Sequence, residues 1–119
     1  MKEELVQSWF GKLREAWLTK NISSVKDLLS EKFQYYENPL KAPFMTWTQV
    51  EEAWRTIDSQ NIIELTIEPL VCKDLRGSAR YHFKYKDVLG DLHESDGAYY
   101  VKLDREGRAV EFRQWWMSK

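Results

Sequence analysis

A single cysteine, Cys72, occurs among the 119 residues, so the fold cannot rest on an internal disulfide. No stretch comes near the roughly 18 consecutive apolar residues that a membrane-spanning helix needs. The opening Met-Lys-Glu-Glu-Leu lacks the apolar core and small-residue cleavage site of a secretory signal. These absences predict a cytoplasmic chain with no home in the membrane. An excess of either charge is also missing. Eighteen basic side chains face 19 acidic ones, the net charge is -1, and no block of like charges offers an arm to nucleic acid, which is not an expected partner. The two histidines, His82 and His93, do not share a His-x-x-x-His spacing, and there is no Cys-x-x-Cys. Neither a metal nor a cofactor is expected. With only three prolines and five glycines, the breakers act as punctuation, and no repeat, linker or low-complexity tract appears.

What is abundant is apolar and aromatic surface, 43% and 14% of residues, which is enough for one domain over 1–119 with a substantial core. Across 3–20, Leu5, Val6, Trp9, Phe10, Leu13, Ala16 and Trp17 recur at helical spacing with charged residues between them, predicting an amphipathic helix. Asn21 is a plausible stop, and Ser23 or Ser24 can start a short second helix carrying Val25, Leu28 and Leu29. Thr46 and Gln49 form a capping box for a third helix, whose stripe is Trp47, Val50, Ala53, Trp54 and Ile57.

Between these helices, 33–38 alternates aromatic and polar residues until Pro39 ends the strand; Phe33 and Tyr35 set the inward parity and Glu37 shares it. The segment 39–45, with two prolines, reads as a lid or rim. From Asn61 onward Ile63, Leu65 and Ile67 alternate inward, and the run past Pro69 predicts a bulge or an edge. A turn is expected at Arg76-Gly77, after which Ala79, Tyr81, Phe83 and Tyr85 face inward, and Gly90 breaks a second turn over 87–91. The last two strands form a hairpin, with Gly97, Tyr99, Val101 and Leu103 opposite Val110, Phe112, Gln114 and Trp116, closed at Asp104-Arg105-Glu106-Gly107. The predicted fold is α+β, with three N-terminal helices packed on a strongly curved, mainly antiparallel sheet that forms a cone-shaped half-barrel. Trp9, Leu13, Trp17, Tyr35, Trp54, Phe83, Tyr99, Phe112 and Trp116 are expected to line its interior.

Two stretches resemble a known family. Tyr35-Tyr36-Glu37-Asn38-Pro39-Leu40, followed by a helix carrying Trp54, is similar to a Tyr-His-Glu-x-Pro-Phe segment of the nuclear transport factor 2-like superfamily in its SnoaL-like branch. Asp96-Gly97 and the tail from Asp104 to Trp116 resemble the last two strands of that family. The chain departs from the pattern at Thr46, where glycine is usual, and at Gln114, where glutamate is usual. The resemblance implies the cone fold and a superfamily of ketosteroid isomerases, polyketide cyclases, epoxide hydrolases, dehydratases and non-catalytic modules. Set beside a ketosteroid isomerase, Leu13 takes the place of its tyrosine, Tyr99 that of its acid donor, and Glu37 or Asn38 that of its base, so one oxyanion donor is absent.

The candidates follow from parity and from the resemblance together. Glu37, a carboxylate on the inward face near the cone mouth, is the candidate catalytic proton acceptor; the plainer alternative is a rim carboxylate. Tyr99 and Gln114 could orient a carbonyl, or could be core groups bonded to neighbours. Trp17, Tyr35, Trp54 and Trp116 complete the expected binding wall for a hydrophobic small molecule. On the outer face Tyr100 and Trp115 suggest a homodimer. Two readings stand: a small-molecule-binding protein of the isomerase, cyclase or hydrolyase kind, acting on a hydrophobic carbonyl-type substrate, whose cone holds a cavity of several hundred cubic ångströms; or a non-catalytic homodimeric or partner-binding module whose cone is filled by its own tryptophans.

Overall fold

A computed structural model describes residues 2–118. Helix α1 (Lys2–Leu18) buries Val6, Trp9, Phe10, Leu13 and Ala16, the stripe that its spacing specifies. Helix α2 (Ile22–Lys26) is a little over one turn long and buries only Val25. Strand β1 (Leu29–Tyr36) begins four residues earlier than the alternating aromatics suggest, so Leu29 belongs to the sheet rather than to α2. Helix α3 (Trp47–Trp54) opens on the expected capping box, in which Thr46 Oγ1 accepts from the Gln49 backbone and Gln49 Oε1 accepts from the Thr46 backbone. A short 3-10 turn (Arg55–Ser59) continues it. Strands β2 (Asn61–Lys73), β3 (Arg76–Lys86), β4 (Leu92–Leu103) and β5 (Ala109–Ser118) follow.

The sheet has five strands in the order β1-β5-β4-β3-β2, antiparallel throughout except for the parallel pair β1 and β5. It is mixed and open. Only α1 and α2 precede the first strand and α3 enters after β1, the order that the residue patterns predict, so the description of three N-terminal helices is met only in part.

Irregularities bend the sheet and shift parity. A register shift between Ile62 and Glu64 leaves Ile63 53% exposed and turns Ile62 towards the core instead. The edge strand β2 also bulges between Pro69 and Val71, where proline can donate no ladder bond. A third shift near Lys102 and Leu103 makes Ala109, not Val110, the buried residue at the start of β5. The β2–β3 turn lies at Asp74-Leu75, with Asp74 at φ 55, rather than at Arg76-Gly77, which are strand residues. Gly90 and Gly107 take φ of 85 and 84 in their turns, the left-handed conformation for which glycine is suited. Gly97 serves another need. A Cβ there would overlap the Trp115 carbonyl oxygen and approach Tyr81 Cε1 to 2.7 Å, so its missing side chain lets β5 fold closely over β4.

The concave face and α1 enclose the core. Phe112 is 1% exposed and packs on Trp9, Tyr35 and Tyr99 at ring-centroid distances of 5.0, 4.9 and 5.1 Å. Trp9 Nε1 donates to the Leu28 carbonyl at 2.8 Å, and the Ala109 amide donates to the same oxygen at 2.8 Å, tying α1 and β5 to the start of β1. Arg14 Nε reaches the Leu65 carbonyl at 2.9 Å and holds the other end of the helix on β2.

Candidate functional site

The space left between the concave sheet, α1 and α3 is a cavity of about 650 Å³. The size falls in the range of small-molecule sites. Its closed end is walled by buried Leu13, Tyr35, Tyr99 and Phe112; its mouth runs past exposed Gln49, Glu52, Thr56, His93 and Ser118. The tryptophans do not fill it. Trp17 and Trp54 meet edge-on at 5.6 Å and form part of its wall, which goes against the second of the two readings, a cone filled by its own tryptophans.

Three phenols meet at the closed end, brought there by period-two alternation on β1, β3 and β4. Tyr81 and Tyr99 stack at 4.5 Å with planes 5° apart, and Phe10 lies parallel to Tyr99 on its other side. Tyr35 Oη accepts from Trp54 Nε1 at 3.0 Å, which leaves its own proton free to donate. Tyr81 meets the Ser95 side chain. The Tyr99 hydroxyl makes no hydrogen bond among the described residues, although the residue is 2% exposed. Burial pushes the Tyr81 phenol up to about 12. Burial, and then the neighbouring Tyr81 and Tyr35, raise Tyr99 well above the ordinary tyrosine value. Tyr35 is raised chiefly by burial, against the lowering effect of Trp54, with a further contribution from the Glu37 carboxylate. All three are therefore neutral hydrogen-bond donors at physiological pH.

Glu37 follows the end of β1, half-buried, and its charge reaches Tyr35. Its backbone carbonyl is a node: Gln114 Nε2 donates to it at 3.0 Å and Trp116 Nε1 at 3.3 Å. This bond satisfies Gln114 through the Glu37 main chain. Trp116 is 44% exposed, which corrects its expected interior place; beyond Gly97 the end of β5 runs past the cover of α1, and the indole stands at the rim of the cavity. Trp17 is anchored by its Nε1 donating to Gln60 Oε1 at 3.2 Å.

No protein-family model matches the chain, and no curated protein does. Solved structures do. A Δ5-3-ketosteroid isomerase from Mycobacterium sp. superposes with a TM-score of 0.81 over 97% of this chain and 98% of that one, at 9% identity. A protein of Mycobacterium tuberculosis, crystallised in complex with estradiol-17β-hemisuccinate, gives 0.78 over 98% and 93%, at 12% identity. A nuclear transport factor 2-like protein of unknown function from Burkholderia pseudomallei K96243 gives 0.70 over 96% and 88%, at 16% identity. The chain has the nuclear transport factor 2-like fold. At identities this low the likeness establishes architecture and leaves the chemistry to the residues.

Within this nuclear transport factor 2-like cone, Glu37, Trp17, Tyr35, Trp54, Tyr99, Gln114 and Trp116 all border the same cavity, although they come from five different elements and the loop after β1. Leu13 borders it as well. Sequence reasoning missed the polar mouth of Gln49, Glu52, Gln60, His93 and Ser95, and the part played by Tyr81. Parity places Tyr81 and His93 on the inner face, and that signal was available. Glu52 and Gln60 carry no such signal, since their side of α3 and the chain after it is decided by how α3 sits over the sheet. On the convex face His82 Nδ1 and Nε2 lie 2.9 and 3.0 Å from Asp96 and Glu94, away from the cavity.

Proposed function

We propose that the protein binds a hydrophobic molecule bearing a carbonyl oxygen and moves a proton next to that carbonyl. The observation that carries this reading is the Tyr99 hydroxyl, which borders the cavity and makes no hydrogen bond among the described residues. Because no buried side-chain polar atom among the described residues lacks a partner, this hydroxyl opens onto the cavity, where its proton is available to a ligand oxygen. Tyr35 supplies a second proton at the same end, since its oxygen already accepts from Trp54. Two phenols donating to one ligand oxygen would stabilise negative charge as it develops there, as in an enolate. Glu37, which borders the cavity and whose charge acts on Tyr35, is the candidate to take the α-proton. The aromatic wall of Trp17, Trp54 and Trp116 suits a ring system. The ketosteroid isomerase and the estradiol-hemisuccinate complex among the structural neighbours support a ring-shaped ligand.

The test is deuterium exchange at the α-carbons of a bound steroid ketone, followed by proton NMR. Wild-type protein is expected to accelerate exchange, Glu37→Gln to bind without accelerating it, and Tyr99→Phe to lose affinity about tenfold. Unchanged affinity in Tyr99→Phe would sink the reading.

The homodimer is proposed through the convex face, where Trp115 is 43% exposed and Tyr100 is half-buried beside Arg113. Native mass spectrometry of wild type and Trp115→Glu checks it; a monomeric wild type refutes it.

A further inference from the structure

The cavity has a second polar end that the carbonyl reading leaves unused. His93 and Tyr99 share a face of β4 six residues apart, a path of about 20 Å along the strand. Both residues border the cavity, whose volume of about 650 Å³ is large enough for a fused-ring molecule. At the mouth, Asp87 Oδ2 lies 2.8 Å from His93 Nε2. The same carboxylate is immobilised by its own turn, because Asp87 Oδ1 accepts from the Leu89 and Asp91 amides at 2.9 and 3.0 Å. The imidazole also lies flat on Tyr85, with centroids 4.8 Å apart and planes at 12°. The ring is thus fixed by a carboxylate on one nitrogen and by stacking on its face, while Nδ1 has no partner among the described residues.

Charge narrows what can sit there. Glu37, Glu52 and Glu94 border the cavity, and no lysine or arginine does among the described residues. Glu94 lies 4.0 Å from the Lys84 ammonium and 3.0 Å from His82 Nε2, but Glu37 and Glu52 have no ion pair among those residues. An anionic ligand end would face these carboxylates without compensation.

We infer that Asp87 and His93 recognise a hydroxyl at the mouth end of the ligand, so that the preferred ligand is a neutral fused-ring molecule with an acceptor oxygen at Tyr99 and a hydroxyl at His93 Nδ1. A hydroxyl both donates and accepts, so it pairs with Nδ1 whether the imidazole is neutral or protonated. A carboxylate pairs only with the imidazolium and must also face Glu37 and Glu52. The inference rests on the carbonyl reading for the orientation of the ligand, and it assigns His93 as a specificity-determining residue.

The test compares three steroids by quenching of tryptophan fluorescence: nandrolone, which has a ring ketone and a distal hydroxyl, its deoxy analogue without that hydroxyl, and nandrolone hemisuccinate. Wild type is expected to bind nandrolone about tenfold more tightly than the deoxy analogue, the worth of one good hydrogen bond. His93→Phe keeps the stack on Tyr85 and should bind both alike; the hemisuccinate should bind wild type at least about tenfold more weakly than nandrolone. Equal affinity of wild type for nandrolone and the deoxy analogue, with both weakened in Tyr99→Phe, overturns the role of His93 and leaves the carbonyl reading standing. Hemisuccinate binding as tight as nandrolone overturns the neutral-ligand assignment. No binding of any of the three by wild type overturns the carbonyl reading and this inference with it. The ligand comparison uses wild-type protein alone, so it does not depend on any variant folding.

Discussion

Tyr35 and Tyr99 are both buried phenols at the closed end of the cavity, yet removal of their hydroxyls should act in opposite directions. Tyr35 Oη accepts from Trp54 Nε1 at 3.0 Å, and Trp54 is 8% exposed. Tyr35→Phe leaves that indole N–H buried without an acceptor, a loss of about 1–2 kcal/mol. Tyr99→Phe breaks no hydrogen bond among the described residues and leaves the ring packed on Phe10, Phe112 and Tyr81, so stability should stay level. The two variants should therefore differ by at least about 1 kcal/mol, or roughly 4 °C in Tm for a domain of this size. Urea unfolding followed by tryptophan fluorescence reads this directly, provided that the m-values match. If Tyr99→Phe is destabilised as much as Tyr35→Phe, the Tyr99 hydroxyl has a structural partner and the argument for a ligand oxygen fails. Together with the expected loss of ketone affinity, a level stability would separate a binding group from a core one in a single variant.

Alkaline unfolding should report the phenol cluster, because Tyr35, Tyr81 and Tyr99 are all raised in the folded state. Their contribution is fully present below the unfolded value of 10.0 and declines as pH rises towards the folded value, about 12 for Tyr81, with each site contributing at most about 1.4 kcal/mol per pH unit. Three of the six tyrosines should ionise only with unfolding; spectrophotometric titration showing all six ionising in folded protein would refute this. Gly97→Ala should cost about 1–3 kcal/mol in urea unfolding, towards the upper end because the Trp115 carbonyl and Trp116 Cα that a Cβ meets are backbone atoms; a neutral variant would mean that β5 does not approach β4 as closely as described. Asp96 is held below the ordinary carboxylate value, first by Arg80 and then by His82, so its stabilisation is present above the unfolded value of 3.8 and is lost as pH falls through the folded one. Asp96→Asn should flatten that acid limb in a pH series of unfolding midpoints, and an unchanged slope would count against the Arg80 and His82 pairing.

Much of the architecture was legible because its signals are local. The Thr46 and Gln49 capping box, the glycines of the two later turns and the bulge at Pro69 each depend on the chemistry of a few adjacent residues. Errors arose where distant partners decide. Val110 and Ile63 were assigned inward by unbroken alternation, and register shifts against β4 and β3 moved each to the other face. Trp116 has the inward parity of Phe112, but only the extent of α1 and the bend at Gly97 show that the cover ends before it. The Asp87 and His93 pair was overlooked because a turn separates the two residues in sequence while the hairpin brings them to 2.8 Å.

By itself the sequence determined which side chains share a face, since parity on a strand and the stripe on a helix are properties of the backbone period. Those patterns were enough to place Tyr35, Tyr81 and Tyr99 on the concave side and Trp115 on the convex one. Only the tertiary structure decided that a cavity of about 650 Å³ remains between them, that its tryptophans stand as walls, and that the Tyr99 hydroxyl meets no acceptor among the described residues. A cavity is the difference between the volume that separated elements enclose and the volume that their side chains fill. That difference depends on how closely α1, α3 and the bent sheet approach one another, and no local pattern encodes it.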